Sequence, residues 1–321
     1  MSRAPAFDFL ALRQRFPVMR ERAYFATQCM GPFPDEMLAD LDEYRRSLFL
    51  RSRAIPGWVE RVDDMMALLE GLLGAPRHAV ALMPNATASQ AAIVAALDPA
   101  DGRDRILYTS IDFHSSRYLW AAQARRGFRP IEVPSTDGSM PTAALADQID
   151  QRTALVSLAL VSPQTGALAD VRPVVEAARA AGALVVVDAY QAVGSMPLDV
   201  GQLGVDVLVA GTHKWLGGGG MGLTFLYVRP AVSERLAAAY PGWVGHREMV
   251  GFAETYEPGE GARRFMQGTP ALEPIYSARA GLRYVLETGL PAIRARSLSL
   301  SALLIERAQA RGLTVNTPVD P

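Results

Sequence analysis

The stretch Ala183-Leu-Val-Val-Val-Asp188 is apolar until its last residue, which is a carboxylate. Such continuous apolar runs are typical of strands that are buried on both faces of a sheet. Longer amphipathic stretches, such as Thr87–Leu97, Ser115–Arg126 and Val171–Ala181, lie between most of the runs of this kind. The alternation predicts a three-layer α/β fold with a seven-stranded, mostly parallel sheet. The other six predicted strands are Ala79–Met83, Arg105–Thr109, Arg129–Val133, Ala154–Leu160, Val205–Ala210 and Leu223–Val228.

Composition and charge exclude several classes of partner. The 321 residues are 50% hydrophobic and carry a net charge of −1, with Lys and Arg spread among Asp and Glu, so no basic stripe for nucleic acid is expected. The single cysteine, Cys29, excludes a disulfide framework and a cysteine-based zinc site, and the four histidines lack metal-ligand spacing. No signal peptide or membrane span is expected. We predict a cytoplasmic protein without a metal.

A lysine follows the next predicted strand along the chain. Lys214 stands in Ala210-Gly-Thr-His-Lys-Trp-Leu-Gly217, and Asp188 ends its own strand. Because the carboxyl ends of parallel strands meet at one edge of a sheet, the two side chains are expected to lie close together. A lysine amine can hold an aldehyde cofactor as a Schiff base, and a carboxylate keeps a pyridine nitrogen protonated, so that the ring accepts electrons. The pair predicts a pyridoxal phosphate site with Lys214 and Asp188 as catalytic residues.

The turn Met83-Pro-Asn-Ala-Thr-Ala-Ser89 lies between a predicted strand and an Ala-rich helix. Backbone N–H groups and the helix dipole favour an anion at such a turn, so a phosphate can dock there. Helix capping by Asn85 or Thr87 explains the same residues without a ligand. In combination with Lys214, the turn favours a phosphate site.

The run Gly217-Gly-Gly-Gly-Met-Gly222 formally contains G-x-G-x-x-G, the pattern of a dinucleotide site. The glycines precede a predicted strand, whereas that fingerprint requires a strand before them and a helix after them. We therefore expect a flexible turn behind the lysine.

Three further motifs carry a resemblance to a known family. Tyr24-Phe-Ala-Thr-Gln-Cys-Met-Gly-Pro-Phe-Pro34 is similar to a loop that in kynureninases typically reads Tyr-Phe-x-Gly-Asn-Ser-Leu-Gly. Gly242-Trp-Val-Gly-His246 and Arg264-Phe-Met-Gln-Gly-Thr-Pro270 resemble two more signatures of these enzymes. Residues 20–290 thus resemble the class V branch of the fold-type I pyridoxal-phosphate enzymes, which includes aminotransferases and cysteine desulfurases, and within it most of all the kynureninases.

The resemblance implies roles for residues around the cofactor. Phe113 would stack on the pyridine ring, where cysteine desulfurases place a histidine; ordinary core packing is the alternative. Asp188 would contact the ring nitrogen and Gln191 the ring hydroxyl, in the Asp-x-x-Gln pattern of desulfurases, whereas kynureninases usually carry histidine at the second position. His114 is expected in a loop and Tyr190 in a packing role. The implied phosphate ligands are Ala86 through its backbone, Thr87 through its hydroxyl, and His213.

The same comparison bears on the subunit arrangement. Trp243 and Thr269 match positions that reach the phosphate from a neighbouring subunit, which implies a homodimer with shared active sites. A purely structural loop is the alternative for both residues. Cys29 is expected to line the pocket, because the nucleophilic cysteine of desulfurases lies in a late loop that this sequence does not contain.

We divide the chain into an N-terminal helical segment (1–23), a pyridoxal-phosphate-binding large domain (24–290), and a connecting helix with the start of a small C-terminal domain (291–321). The stretch Gly312-Leu-Thr-Val-Asn-Thr-Pro-Val-Asp-Pro321 resembles the first strand of that small domain, most of which is absent. In the family, the small domain supplies an arginine that grips the substrate carboxylate. Either the chain is a truncated form, or another arginine replaces it; the candidates are Arg51, Arg53, Arg263 and Arg264.

The predicted chemistry has a common beginning and several outcomes. Once released from the Schiff base, Lys214 can take the α-proton of an amino acid while Asp188 stabilises the carbanion through the cofactor ring. We expect a kynureninase-like or C–S lyase-type cleavage of the side chain. The alternatives are a class V aminotransferase or a cysteine-desulfurase-like enzyme, and a truncated, catalytically impaired partner protein that binds the cofactor.

Overall fold

The computed structural model describes residues 8–249 and 251–318, and its centre is a single mixed sheet. The strands are β1 (Val80–Met83), β2 (Arg105–Thr109), β3 (Arg129–Val133), β4 (Thr153–Ala159), β5 (Leu184–Asp188), β6 (Val207–Gly211) and β7 (Thr224–Val228). Their order is β1-β7-β6-β5-β4-β2-β3. Strand β7 is antiparallel to both of its neighbours, and the other adjacent pairs are parallel. All seven predicted strands are confirmed, with ends displaced by at most two residues.

Helices cover the sheet and complete the predicted three-layer α/β fold. Helix α5 contacts β1, β6 and β7, whereas α8 contacts β4 and β5. The predicted stretch from Ser115 to Arg126 forms α6 and a following 3-10 turn at Gln123–Arg126. The helices are α1 (Phe9–Arg13), α2 (Pro17–Glu21), α3 (Met37–Ser47), α4 (Ile55–Leu73), α5 (Ala86–Ala95), α6 (His114–Ala122), α7 (Thr142–Asp147), α8 (Arg172–Ala181), α9 (Val200–Leu203), α10 (Pro230–Ser233), α11 (Leu272–Thr288) and α12 (Leu290–Gln309).

Burial follows the position of each strand in the sheet. Every residue of β4, β5, β6 and β7 is buried, which explains why these segments are almost uniformly apolar. Strand β3 lies at the edge and is partly exposed. It contains Pro130, a residue that an edge strand tolerates because one side of the strand needs no donor. Among the described residues, no helix has the length and apolar character needed to span a membrane.

An ion-pair cluster fastens α3 to α11. Helix α3 packs along α11, and the buried carboxylate of Asp40 on α3 accepts hydrogen bonds from two arginines of α11. The Arg283 guanidinium lies 2.9 Å from Asp40 Oδ2, and Arg279 lies 3.5 Å from Oδ1. Since α3 follows residues 24–34 directly, this cluster fixes the end of a loop that leads to the candidate site.

The end of the described chain departs from the prediction. Helix α12 corresponds to the predicted connecting helix, but it contains no buried residue. Residues 312–318 form no strand, so the strand predicted after Gly312 is wrong for the described residues; residues 319–321 lie outside them. Asn316 and Thr317 instead pass beside the turns at Gly138 and Gly166. The division into three segments stays a prediction.

Replacing Asp40 by alanine is expected to lower the free energy of unfolding by about 2–3 kcal/mol, because Arg279, which is only 14% exposed, loses its buried partner. Asp42→Ala on the same helix is the matched control. Asp42 pairs with Arg45 and Arg46 at the surface, where such pairs contribute little, so its loss should change stability much less. Urea unfolding of both variants makes the comparison. Equal losses would contradict an anchoring role for Asp40.

Candidate active site

Seven of the nine predicted site residues line one cavity of about 230 Å³ at the carboxyl edge of the parallel strands. Each reaches it from the end of a strand or the start of the next helix: α5 follows β1, α6 follows β2, and single turns follow β5 and β6. The sheet thus brings together side chains that are far apart in sequence. The seven are Ala86, Thr87, Phe113, Asp188, Gln191, His213 and Lys214.

Asp188 places a carboxylate in the floor of this cavity. It is 9% exposed, and its Oδ1 accepts a hydrogen bond from the backbone N–H of Tyr190 at 2.9 Å. Burial raises the pKa of Asp188, while the Tyr190 hydrogen bond and the charge of Lys214 oppose the shift. No hydrogen bond from a described residue reaches Oδ2. The second oxygen is therefore open to a cationic or N–H partner within the cavity.

Lys214 is the only lysine in the sequence; the other basic side chains counted with it are arginines. Its Nζ lies 5.8 Å from the ring centroid of Phe113 and 5.3 Å from that of Tyr190. Burial lowers the pKa of Lys214, although the charges of Asp188 and Cys29 act in the opposite direction. A larger share of the amine is then neutral, which is the nucleophilic form. Arginine could replace the charge of this residue but not its reactivity.

The start of α5 serves as a helix cap and as part of the cavity wall. Asn85 is the N-cap residue, and its side-chain oxygen accepts a hydrogen bond from Ala88 N at 2.8 Å, so the capping interpretation is correct. Ala86 and Thr87 still line the cavity, and no described residue accepts a hydrogen bond from their backbone N–H groups. Capping thus leaves two N–H donors and a hydroxyl for an anion.

His213 adds an unpaired polar atom to the same cavity. Its Nδ1 is buried and has no hydrogen-bond partner among the described residues. Burial lowers the pKa of His213, and the neighbouring Lys214 charge lowers it further, so the imidazole is neutral. A buried ring nitrogen without a partner is unusual in a folded protein and fits a site that receives a polar ligand.

Residues 24–34, the N-terminal loop, contact two of the residues that line the cavity. Gly31 N donates to His213 O at 2.8 Å, and Gln191 Nε2 donates to Gln28 O at 3.0 Å. A Cβ atom on Gly31 would lie 1.9 Å from Lys214 O, so only glycine allows this approach. The N-terminal loop is therefore in direct contact with the backbone that carries the lysine.

The glycine run behind Lys214 forms the expected turn, and most of it is packed against neighbouring backbone. Residues 217–220 are buried. Gly218 has φ +73°, and an added Cβ would come within 2.1 Å of Gly31 O. Residues 212–223, the lysine loop, join β6 to β7. The glycines allow the lysine loop, the N-terminal loop and α11 to approach one another at backbone distance.

Tyr190 is a cavity residue that sequence reasoning assigned only to packing. Its ring lies against Gly211, where an added Cβ would be 2.3 Å from Tyr190 Cε1, and its hydroxyl is 2.5 Å from Thr224 Oγ1. Burial raises the pKa of Tyr190 to about 12, with a further contribution from Asp188. The phenol therefore stays protonated. Its position two residues after Asp188, in the turn at the strand end, was the signal that could have identified it.

The structure also corrects the environment of Phe113. His114 is the first residue of α6 rather than a loop residue, and its ring centroid lies 4.2 Å from that of Phe113. Phe113 itself is 40% exposed, which argues against ordinary core packing. Its exposed ring forms a wall of the cavity. Other cavity residues that the sequence did not single out are Ser115, Ala159, Val161 and Pro163.

Trp243 and Thr269 lie away from this cavity within the single chain. Trp243 borders a separate groove with Phe252, and Thr269 borders another beside Pro84. Cys29 is exposed and does not line the cavity, so the expected pocket-lining role is not seen.

Of the arginines proposed as carboxylate anchors, two have other structural roles. Arg263 pairs with Asp63, and Arg264 donates to Ser233 O and Gly261 O. Neither Arg51 nor Arg53 lines the cavity.

The chain resembles known proteins over most of its length. The family model described as aminotransferase class V matches residues 58–320. The uncharacterized aminotransferase YcbU of Bacillus subtilis is 30% identical over 301 residues, which cover 94% of this chain and 79% of that protein. A kynureninase of Deinococcus radiodurans is 30% identical over 322 residues, covering 94% of this chain and 77% of its own.

Solved structures show the same fold at lower identity. The apo cysteine desulfurase of Thermococcus onnurineus aligns with a TM-score of 0.82 at 23% identity, over 100% of this chain and 80% of that one. A C-DES variant with glycine covalently linked to its PLP cofactor aligns with a TM-score of 0.81 at 22% identity, over 92% and 79%. The chain therefore belongs to the aminotransferase class V family of fold-type I pyridoxal-phosphate enzymes.

Proposed function

We propose that this chain binds pyridoxal 5'-phosphate through Lys214 and cleaves the side chain of an amino acid, as a kynureninase-like enzyme or a C–S lyase does. One observation carries the proposal. The only lysine of the sequence shares a cavity with a buried carboxylate, an exposed aromatic ring and the N-terminus of α5. These are the chemical groups that a phosphorylated pyridine aldehyde requires.

The residues present fit that cofactor group by group. The Ala86 N–H, the Thr87 hydroxyl and His213 would hold the phosphate, and the open Oδ2 of Asp188 suits a pyridinium N–H. Phe113 offers an aromatic face, and Gln191 an amide, to the ring. When bound, pyridoxal phosphate supplies an electrophilic carbon and a ring that accepts the electron pair of a broken substrate bond.

The side chains of the site have separate roles in the proposed reaction. Lys214, whose pKa is lowered by burial, binds the aldehyde and later acts as the base at the α-carbon of the substrate. Asp188 keeps its charge when a cationic ring nitrogen lies beside it. Tyr190 stays protonated and, with Phe113, keeps water from the Lys214 amine on two sides.

Two features support the alternative reactions. A relative of similar identity carries the name of an aminotransferase, which favours transamination as the second candidate. Gln191 matches the Asp-x-x-Gln pattern of desulfurases, which supports a cysteine substrate. A cofactor-binding partner protein without activity is the remaining alternative.

Borohydride reduction should attach one cofactor molecule per chain to Lys214, since no other lysine competes for it. Lys214→Arg retains the positive charge but cannot form the covalent bond, so both the visible band of the lysine-bound cofactor and the mass increment should disappear. Peptide mass spectrometry separates Lys214 from the N-terminal amine. Folded wild-type protein that shows neither band nor increment would rule out the proposed cofactor.

Product analysis is expected to show cleavage of the substrate side chain. The wild-type protein with bound cofactor is incubated separately with kynurenine, with cysteine, with cysteine conjugates, and with alanine plus a keto acid. Release of anthranilate or of a thiol fragment supports the proposal, and the Lys214→Arg protein serves as the blank. Formation of only a new amino acid would assign the chain to the aminotransferases instead.

We also propose a homodimer in which Trp243 and Thr269 complete the partner's site. Trp243 and Phe252 are 45% and 94% exposed in the single chain and border one groove. Such an exposed aromatic surface supports the proposal that a second chain covers it. Mixing Lys214→Ala chains with Trp243→Ala chains tests it, because only a shared site regains a complete set of residues. About a quarter of the wild-type cofactor sites should return on random pairing. No recovery in dimers that exchange would contradict shared sites.

A further inference from the structure

Trp215 is in direct contact with the cavity residue Gln191. The indole Nε1 of Trp215 donates a hydrogen bond to Gln191 Oε1 at 2.9 Å. On its other side, Gln191 Nε2 donates to the backbone oxygen of Gln28 in the N-terminal loop at 3.0 Å. The Gln191 amide is therefore held at both ends, by one residue of the lysine loop and one residue of the N-terminal loop.

The two partners allow the amide only one orientation. An indole N–H can donate but not accept, and a peptide oxygen can accept but not donate. Rotation of the amide by 180° would set the Gln191 NH₂ group against the Trp215 N–H, and Gln191 Oε1 against Gln28 O. Both contacts would be repulsive. These two bonds use one N–H of Gln191 Nε2 and leave its second N–H for another acceptor, on a residue that lines the cavity.

We propose that Trp215 is a positioning residue that holds Gln191 as a hydrogen-bond donor toward an anionic ring oxygen of the cofactor. The inference rests on the proposed function. In the opposite orientation, Gln191 would present its carbonyl oxygen to that oxygen, and two acceptors would repel each other. Trp215 thus acts through Gln191 and need not touch the cofactor itself.

The same contacts connect cofactor binding to the N-terminal loop. Gln28 O can hold the Gln191 amide only while the N-terminal loop stays in this position. The hydrogen bond from Gly31 N to His213 O, 2.8 Å long, keeps the loop there. The hydroxyl of Tyr24 braces the loop internally by donating to Met30 O at 2.5 Å. A residue on the lysine loop and a residue on the N-terminal loop are therefore both needed to orient one side chain.

Trp215→Phe removes the N–H donor and keeps an aromatic ring. Cofactor affinity, measured by equilibrium dialysis and by the visible band, should weaken about fivefold, which is the size of one net hydrogen bond. Trp58→Phe is the matched control, because Trp58 Nε1 donates to Ser47 Oγ at 2.8 Å and Trp58 does not line the cavity. Its cofactor affinity should equal that of the wild type.

A second pair of variants separates orientation from packing. Gln191→Leu removes the amide, so adding Trp215→Phe to it should cause no further loss of cofactor affinity. If Trp215→Phe weakens binding equally in both backgrounds, or has no effect in the wild-type background, the positioning role is overturned. Thermal unfolding of each cofactor-free variant checks that the fold is intact. Failure of the wild type to bind the cofactor would instead refute the proposed function, so the two outcomes are distinct.

Discussion

The buried carboxylate of Asp188 is the constraint on which the site depends. It ends a central strand whose residues are all buried, and a charge in such a place is costly unless a cation or N–H group pairs with it. Burial raises the pKa of Asp188 and lowers that of Lys214, so both groups move toward their neutral forms. A cationic ring nitrogen beside Oδ2 would restore the charged carboxylate. The fold thus holds a charge site that is more favourable with a ligand than without one.

The presence of a single lysine in the sequence supports this interpretation of the site. Every other basic position in the sequence carries arginine, including the buried pairs that fasten α3 to α11. Arginine suits those positions because its planar guanidinium group binds carboxylates and its charge is permanent. The proposed role of position 214 is different, because an amine that binds an aldehyde must lose its proton and react. On that proposal, arginine carries the permanent charges of the chain, and its one lysine is kept for covalent chemistry.

The sheet and most of the cavity could be predicted because both depend on local pattern. Apolar runs mark the strands, and the rule that ligands gather at strand ends brings Lys214 and Asp188 together. Phe113 was added by the resemblance to the family and not by this rule. Contacts between distant segments have no such pattern. The bonds from Trp215 and Gln28 to Gln191 join three separate turns, and the close packing of Gly31 on Lys214 appears only when the loops are placed. The strand expected after Gly312 rested on a resemblance to a family motif, and residues 312–318 form no strand.

Asp112 and Asp188 show why contacts rather than sequence position define the site. Both are buried carboxylates near the end of a strand, and burial raises the pKa of Asp112 to about 7. Asp112, however, accepts backbone N–H groups with both oxygens, from Thr109 at 3.0 Å and from Ala159 at 2.7 Å. It ties β2 to β4 and anchors the turn that carries Phe113. Asp188 accepts one such bond and keeps an oxygen for the cavity. One carboxylate therefore completes the scaffold, while the other remains available for chemistry.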